Sequence, residues 1–166
     1  VECEVLKNAQ YLALEGKYEV DLYKDFYVTK QLLSTLKTTN RLINITGSIY
    51  AQENDLQNCI LLNNEKNVVE FLNSNLFLVI NNQIITPPVS DGCLNGILRK
   101  QILKLIPKLG LECVERSISP FELQNADELF MTNVIQGIVA VSNYKKKVFV
   151  TEISQTLINK LNEELV

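Results

Sequence analysis

Four short apolar runs in the middle of the chain, separated by asparagine-rich breaks, limit its possible folds most strongly. Residues 59–62 and 68–72 flank a polar turn at residues 63–66, and two further runs within residues 76–85 flank Asn81-Asn82. Apolar runs of this length, interrupted by turn-forming residues, are typical of β-hairpins. The sequence therefore predicts two consecutive hairpins.

Segments on either side of these hairpins combine helical and strand-like patterns. In residues 37–51, Leu42, Ile45, Ile49 and Tyr50 recur at helical spacing and predict an amphipathic helix. Further helices are predicted at residues 96–109, 120–124 and 153–165, and further strands at residues 2–6, 18–23, 111–117, 128–132, 137–141 and 147–150. Since strands outnumber helices and are joined by both hairpins and helices, we predict an α/β fold in which a mixed sheet curls round helices.

Length and charge narrow the class of protein. The chain has 166 residues, of which 46% are hydrophobic and 21% charged, as expected for one globular domain. A net charge of −3 provides no general attraction to nucleic acid or to anionic lipid. No apolar segment reaches the length of a membrane span. We therefore expect neither a nucleic acid nor a membrane as a partner.

Two residue types limit the chemistry. The sequence contains no histidine, which excludes serine–histidine and cysteine–histidine catalysis and histidine-based metal sites within this chain. The cysteines Cys3, Cys59, Cys93 and Cys113 lack the spacing of a zinc site or of a disulfide framework. We therefore expect a cytoplasmic, reducing location and a site without a metal. Acid–base chemistry then depends on other side chains or on a cofactor.

Lys37 marks the first of three places with a potential for chemistry. It lies where an apolar segment meets the predicted start of a helix, and Arg41 follows one helical turn later. A lysine in a pocket can act as a Schiff-base nucleophile when burial or a nearby cation favours its neutral form. The alternative is a solvated lysine at a helix end, which is the commoner situation.

Glu70 and residues 95–99 are the other two places. Alternation puts Glu70 on the face of Val68 and Leu72, so that it either faces inward or points to solvent from an edge strand. An inward carboxylate needs a partner, for which a protonated ring nitrogen would serve. Residues 95–99 join a loop to a predicted helix N-terminus, where free N–H groups suit a phosphate, although most helix N-termini bind no ligand.

Taken in order, these places resemble the class IV (fold type IV) pyridoxal-phosphate enzymes, which comprise branched-chain aminotransferases, D-amino-acid aminotransferases and aminodeoxychorismate lyases. Each family motif has little specificity alone, but five in the same order over residues 30–142 argue against chance agreement. The motifs stand here as Lys37-Thr38-Thr39-Asn40, Glu70 followed by Asn75-Leu76-Phe77, Thr86-Pro87, Gly96-Ile97-Leu98-Arg99, and Ala126-Asp127-Glu128.

The resemblance implies a fold and a set of roles. The fold would be the C-terminal domain of a D-amino-acid aminotransferase-like enzyme, a curled mixed sheet (pseudo-barrel) packed with helices. Lys37 would hold pyridoxal 5'-phosphate as a Schiff base and move protons at the substrate Cα, and Glu70 would bind the pyridinium nitrogen. The other implied cofactor-binding residues are Arg41, Leu94 on the ring face, the backbone of Gly96, Ile97 and Leu98 around the phosphate, and Asn133 and Val134 beside the phosphate and the substrate carboxylate.

The chain departs from the branched-chain pattern in three places. Those aminotransferases usually have threonine where Leu98 and Val134 stand and tyrosine where Arg41 stands, so only main-chain donors would remain at the first two positions. Arg41, Asn133 and the run from Asn95 to Arg99 are more similar to the aminodeoxychorismate lyase branch. Two reactions on an amino-acid-like amine therefore stay open, namely amino transfer and expulsion of a leaving group, which is pyruvate in the lyase.

Members of the family also carry an N-terminal domain, which supplies a phosphate-binding arginine and part of the substrate pocket. We therefore expect residues 1–14 to be an interdomain linker, residues 15–166 to be the large cofactor-binding domain, and the small N-terminal domain to be missing from a fragment that binds the cofactor weakly. A domain that has lost this partner should expose apolar side chains at residues 2–6 and beside Lys37, so that the fragment alone would self-associate. The family is also usually dimeric, which implies a homodimer. The alternative is a non-catalytic α/β binding module that keeps the family fold.

Overall fold

The computed structural model describes Glu2 and residues 8–165. Within them the strands are β1 (Glu19–Val28), β2 (Asn58–Asn63), β3 (Val68–Phe71), β4 (Asn75–Ile80), β5 (Gln83–Thr86), β6 (Glu112–Glu115), β7 (Glu128–Asn133), β8 (Gly137–Ala140), β9 (Asn143–Tyr144) and β10 (Lys147–Val148). The helices are α1 (Leu42–Glu53), α2 (Ile97–Leu105), α3 (Glu122–Asn125) and α4 (Glu152–Glu163), with short 3-10 helices at Leu32–Thr35, Val89–Asp91 and Ile106–Leu109.

The described strands form one mixed sheet that branches at β4. Its main path runs β10-β9-β1-β2-β3-β4-β5-β6, while β7 pairs with β4 and then with β8. β1 is parallel to β2 and β9, and β5 is parallel to β6, whereas the remaining pairs are antiparallel. The predicted mixed α/β architecture and both predicted hairpins, β2–β3 and β4–β5, are therefore confirmed.

Side chains along the strands alternate between a central core and outer clusters covered by helices. On β4, Leu76 enters the central cluster, while Phe77 lies in a cluster with residues of α2 and α4. On β2, Ile60 enters the central cluster, while Leu61 packs with residues of α1. Because β1 to β5, β7 and β8 all contribute to the central cluster, the sheet curls round it and carries α1, α2 and α4 on its outer face.

Helix α1 begins later than the sequence pattern predicts. The helix starts at Leu42 rather than at Lys37. Before it, the Thr38 N–H donates to the Leu36 carbonyl and the Arg41 N–H donates to the Thr39 carbonyl, both at 3.0 Å. Bonds between residues two positions apart close tight turns that are incompatible with a helix.

Three of the four residues in the predicted apolar stripe of α1 point away from the sheet, whereas the fourth, Tyr50, packs against Tyr23 of β1. Leu42, Ile45 and Ile49 are 69%, 53% and 51% exposed, whereas Gly47 and Ala51 are the buried residues of the helix. A stripe at helical spacing can cover another chain or domain as well as the protein's own core, and the spacing is the same in both cases. The sequence pattern therefore predicts that the stripe exists, but the direction in which these side chains point is known only from the structure.

The other helices follow the predictions more closely. Helix α2 continues into a 3-10 turn, and both end before Gly110, whose positive φ of 71° is suited to glycine. Ile97, predicted on the packed stripe of this helix, is instead 71% exposed at its first turn. The strand predicted at residues 2–6 lies outside the described residues apart from Glu2. Among the described helices, none has the length and apolar character needed to cross a membrane.

The Ala126-Asp127-Glu128 motif joins three parts of the fold. The buried Glu128 carboxylate accepts hydrogen bonds from the Ile153 and Ser154 N–H groups, at 2.6 and 3.0 Å, where α4 begins. The Asp127 carboxylate accepts from the Asn81 N–H at 2.8 Å in the turn between β4 and β5. The motif therefore fixes a helix start and a hairpin turn relative to β7.

We predict that Glu128→Ala destabilises the protein by about 2 kcal/mol, because two N–H groups at the start of α4 lose a charged acceptor. Urea unfolding would measure this loss. The matched control is Glu152→Ala, which removes an exposed carboxylate from the same helical turn and should change the free energy of unfolding by less than about 0.5 kcal/mol. Equal losses in both variants would mean that charge near the helix end, and not these hydrogen bonds, matters.

Candidate functional site

Three residues on neighbouring strands form the floor of a cavity on the outer face of the sheet. Glu70 on β3 pairs with Asn75 on β4, which in turn pairs with Thr132 on β7. Residues that pair directly across antiparallel strands point to the same face. All three are buried and line a cavity of about 240 Å³. We call Glu70, Asn75 and Thr132 the floor row.

A register shift between β2 and β3 decides which way Glu70 points. Leu61 pairs with Glu70, but the next residue, Leu62, pairs with Val68, so that Val69 is an extra residue. Leu61 belongs to the cluster beside α1, and Glu70 shares that face, whereas Val68 lies in the central cluster. The expectation that Glu70 lies on the face of Val68 is therefore wrong, because an extra residue interrupts the alternation.

Two members of the floor row hold Leu94 in the loop before α2. The Leu94 N–H donates to Glu70 Oε2 at 2.9 Å, and the Leu94 carbonyl accepts from Asn75 Nδ2 at 2.7 Å. Asn75 Oδ1 lies 2.1 Å from the position that a Cβ atom would take at residue 96, so that glycine alone fits there without a shift of Asn75. These contacts hold the start of α2 beside the cavity.

The first turn of α2 supplies backbone donors to this cavity. Gly96 is the N-cap residue and provides no side-chain cap, and Gly96, Ile97 and Leu98 all line the cavity. The first N–H groups of a helix have no partner within it and carry the positive end of the helix dipole. This end of the cavity is therefore suited to an anionic group.

Lys37 and Arg41 lie in the loop that precedes α1. Lys37 is exposed and lines the same cavity as Glu70, whereas Arg41 is half-buried and lines an adjoining cavity of about 330 Å³, which Glu70 also borders. The predicted separation of one helical turn between Lys37 and Arg41 is wrong, because neither residue is within the helix.

Burial raises the pKa of Glu70 to about 7. The hydrogen bond from Leu94 and the positive charges of Arg41 and Lys37 all act in the opposite direction, towards the ionised form. Within the described part of the chain, Leu94 provides the single hydrogen bond to this carboxyl group, through Oε2. Glu70 can therefore accept a further donor, and a cationic donor would favour its ionised form.

The turn between β7 and β8 closes another side of the cavity. Asn133 Oδ1 accepts from the Ile135 and Gln136 N–H groups at 2.9 and 2.8 Å, and its Nδ2 donates to Ser74 Oγ at 2.7 Å. Val134, at the tip of this turn, is exposed and lines the cavity. The side chain of Asn133 thus shapes the turn and ties it to the loop between β3 and β4.

Tyr11 fastens the N-terminal segment to the same turn. Its hydroxyl donates to the Val134 carbonyl at 2.9 Å. Its backbone N–H donates to Asn162 Oδ1 on α4, and its carbonyl accepts from Asn162 Nδ2, both at 2.8 Å. The segment predicted as a linker is therefore attached to the domain at this residue.

Eight of the nine predicted site residues line the 240 Å³ cavity, and Arg41 lines the adjoining one. Lys37, Glu70 and the start of α2, to which the resemblance gives roles around one cofactor, therefore line one cavity. The cavity also contains residues to which no role was given, namely Thr35, Asn73, Ser74, Asn75, Asn95 and Thr132. A period-two pattern from Glu128 through Phe130 places Thr132 on the helix-covered face of β7 and could have identified it.

The chain is similar to known proteins over most of its length. Residues 4–144 match the sequence profile of the family described as amino-transferase class IV. The D-alanine aminotransferase of Bacillus licheniformis is 34% identical over 108 residues, which are 65% of this chain and 38% of that protein.

Solved structures agree with this match. A branched-chain aminotransferase from Thermoproteus uzoniensis, solved with norvaline, superposes with a TM-score of 0.84 at 26% identity over 94% of this chain and 53% of that one. The 4-amino-4-deoxychorismate lyase of Pseudomonas aeruginosa superposes with a TM-score of 0.82 at 26% identity over 90% of this chain and 56% of that one. The chain spans less than half of the curated relatives that it matches and a little over half of these two solved chains. Since the profile match covers most of its residues, the chain belongs to the amino-transferase class IV family.

Proposed function

We propose that this chain is the cofactor-holding domain of a pyridoxal-phosphate enzyme that acts on the amino group of an amino-acid-like small molecule. The observation that carries this proposal is the single cavity lined by Lys37, Glu70 and the first turn of α2. Enzymes of the class IV family depend on pyridoxal 5'-phosphate. Residues 15–166 would form this domain, and residues 1–14 would lead into it.

The cavity has a donor set that fits the cofactor. The uncapped start of α2 provides N–H donors and a partial positive charge for the phosphate, and a Cβ atom at residue 96 would collide with Asn75. At another wall, the buried Glu70 carboxylate has capacity for a protonated ring nitrogen. Leu94, held between Glu70 and Asn75, would pack on the ring face.

Lys37 would carry the reactive amine of this site. When bound, pyridoxal phosphate supplies an aldehyde that captures amines and a ring that takes up electron density from the adjacent carbon. Lys37 lies in an irregular loop and is exposed, so that its amine can reach the cavity and exchange protons with a substrate Cα. In the described part of the chain, no other lysine lines this cavity.

Glu70 would keep a proton on the ring nitrogen. Because burial raises the pKa of Glu70 to about 7, this carboxyl group is a mixture of its protonated and ionised forms near neutral pH before a ligand binds. An adjacent pyridinium would favour the ionised form, as Arg41 and Lys37 already do. Arg41, in the adjoining cavity, would assist Glu70 through its charge.

Two reactions are compatible with these residues. A lyase would release a leaving group such as pyruvate, whereas an aminotransferase would pass the amino group to an oxo acid, and the solved relatives include both kinds. Arg41 and Asn133 favour the lyase, because they match that branch of the family. Incubation of the full-length protein with 4-amino-4-deoxychorismate, or with a branched-chain amino acid and 2-oxoglutarate, separates the two by the product formed.

We predict that Lys37→Ala abolishes the yellow absorbance that the full-length protein develops with pyridoxal phosphate, because no other described lysine lines the cavity. Absorbance spectra and mass spectrometry after borohydride reduction would measure this loss. Lys100→Ala, an exposed lysine on α2 that does not line the cavity, is the matched control and should retain the colour. A wild-type protein that stays colourless would favour the non-catalytic binding module.

We predict that the ligand-free wild-type protein loses stability as the pH rises from about 4.5 to about 7, relative to Glu70→Gln. The folded state keeps the Glu70 proton to a higher pH than the unfolded chain, so the folded state binds more protons in this window and its stability falls with rising pH. The difference between the two proteins should grow by roughly 3 kcal/mol across the window. Urea unfolding at several pH values measures it.

Glu53→Gln, at the exposed end of α1, is the control for this pH experiment and should follow the wild type. A difference between wild type and Glu70→Gln that does not change with pH would contradict the assignment of a raised pKa to Glu70.

The surface around Lys37 is suited to a partner. We call Phe26, Leu32, Leu33, Leu36, Leu42, Ile45 and Ile49 the apolar rim, and each is at least 46% exposed. Leu33, Leu36 and Leu42 also line the 330 Å³ cavity. Apolar patches of this kind mark interfaces. We propose that a second copy of the protein covers the rim, and that the protein is cytoplasmic, which the unpaired thiols of Cys59, Cys93 and Cys113 support.

We predict that the full-length protein sediments as a homodimer, and that joint substitution of Ile45→Lys and Ile49→Lys shifts it towards the monomer, because two charges would be buried in the interface. Analytical ultracentrifugation would show the shift. Phe121→Lys is the control, because Phe121 is 82% exposed but lies outside the rim. A monomeric wild type, or equal effects of both substitutions, would contradict the proposal.

A further inference from the structure

We infer that the Thr132 hydroxyl binds the phosphate group of the cofactor at the N-terminus of α2 and is the side-chain donor for that group in this chain. This inference rests on the proposed function and adds a ligand to it. Thr132 is the member of the floor row that takes no part in holding Leu94.

The hydroxyl of Thr132 has no partner among the described residues, although the residue is only 2% exposed. A buried hydroxyl without a hydrogen bond is costly, and such groups are rare in folded proteins. Thr132 lines the cavity together with Gly96, Ile97 and Leu98. A ligand at this place would therefore satisfy a donor that the protein leaves unsatisfied.

The other hydroxyl groups of the cavity are already engaged. Thr35 Oγ1 donates to the Leu32 carbonyl at 2.7 Å, and Ser74 Oγ donates to Asn73 Oδ1 at 3.0 Å. Leu98 and Val134, which also line the cavity, have aliphatic side chains. Among the described residues that line the cavity, Thr132 is therefore the hydroxyl that is available to a ligand.

The chemistry of the ligand follows from the surroundings of Thr132. Its cross-strand neighbour Asn75 lies next to Gly96, the N-cap residue of α2, and Thr132 lines the same cavity as the first turn of this helix. Uncapped N–H groups, the positive end of a helix dipole and a free hydroxyl together favour a group with several acceptor oxygens and negative charge. A phosphate monoester meets this description.

The experiment compares two ligands that differ in the phosphate alone. Affinities of the full-length wild type, Thr132→Val and Thr132→Ser for pyridoxal 5'-phosphate and for pyridoxal are measured by absorbance. Thr132→Val should bind pyridoxal phosphate about 10- to 100-fold more weakly, as expected for the loss of a hydrogen bond to a charged group. Its affinity for pyridoxal should not change. Thr132→Ser keeps a hydroxyl group and should therefore recover the tighter binding of pyridoxal phosphate.

Stability of the ligand-free protein gives a second readout. Thr132→Val removes an unsatisfied hydroxyl, so its urea midpoint should equal or exceed that of the wild type. The matched control is Thr86→Val, which removes a buried hydroxyl that donates to the Leu76 carbonyl at 2.7 Å. Thr86→Val should lower the urea midpoint, and it should not weaken the binding of pyridoxal phosphate relative to that of pyridoxal.

Three results would overturn the inference. The first is an unchanged affinity of Thr132→Val for pyridoxal phosphate. The second is a loss of affinity for pyridoxal as large as the loss for pyridoxal phosphate. The third is a loss of stability like that of Thr86→Val. Binding of inorganic phosphate, followed by broadening of its ³¹P resonance, separates this inference from the proposed function. If the protein takes up neither pyridoxal compound but binds phosphate through Thr132, the proposed cofactor is refuted and the anion site is supported. If such a protein does not bind phosphate either, the proposed function and this inference are both overturned.

Discussion

The pair of hydrogen bonds that holds Leu94 between Glu70 and Asn75 is the interaction on which the rest of the site depends. It joins the sheet to the loop before α2, and thereby decides where the helix dipole points. The bond from the Leu94 N–H also favours the ionised form of a carboxyl group that burial would otherwise neutralise. The same contact with Leu94 therefore fixes the position of the start of α2 and favours the negative charge of Glu70.

Several residues of the family motifs build the scaffold of the site. The Arg99 guanidinium is buried and donates to the Pro87 carbonyl at 2.9 Å and to Glu115 at 2.5 Å, which fixes α2 against the end of β5. The Thr86 hydroxyl bonds to the β4 backbone, and Glu128 holds the start of α4. The family motifs that contain Arg99, Thr86 and Glu128 therefore indicate mainly the fold. The resemblance in chemistry rests on Lys37 and Glu70.

The sequence predicted the hairpins well because their turns depend on local chemistry. Asn81 and Asn82 have positive φ angles, a conformation that asparagine tolerates better than most residues. The direction of the α1 stripe and the branch of the sheet at β4 depend instead on contacts between distant segments, which a local pattern does not contain. The extra residue at Val69 is of the same kind, since alternation over residues 68–72 predicts a regular strand. The motifs gathered the residues of one cavity, but they gave no role to Thr132, whose importance comes from a missing hydrogen bond.

The attachment of Tyr11 has a mechanical consequence. One end of this residue is bound to α4 through Asn162, and its hydroxyl is bound to the Val134 carbonyl at the tip of the turn beside the cavity. Gly137 begins β8 directly after this turn, and its missing Cβ leaves room for the Tyr11 ring, to which a Cβ would come within 2.5 Å. The position of the turn between β7 and β8, which closes one side of the cavity, is therefore coupled to the position of α4 through one rigid aromatic ring.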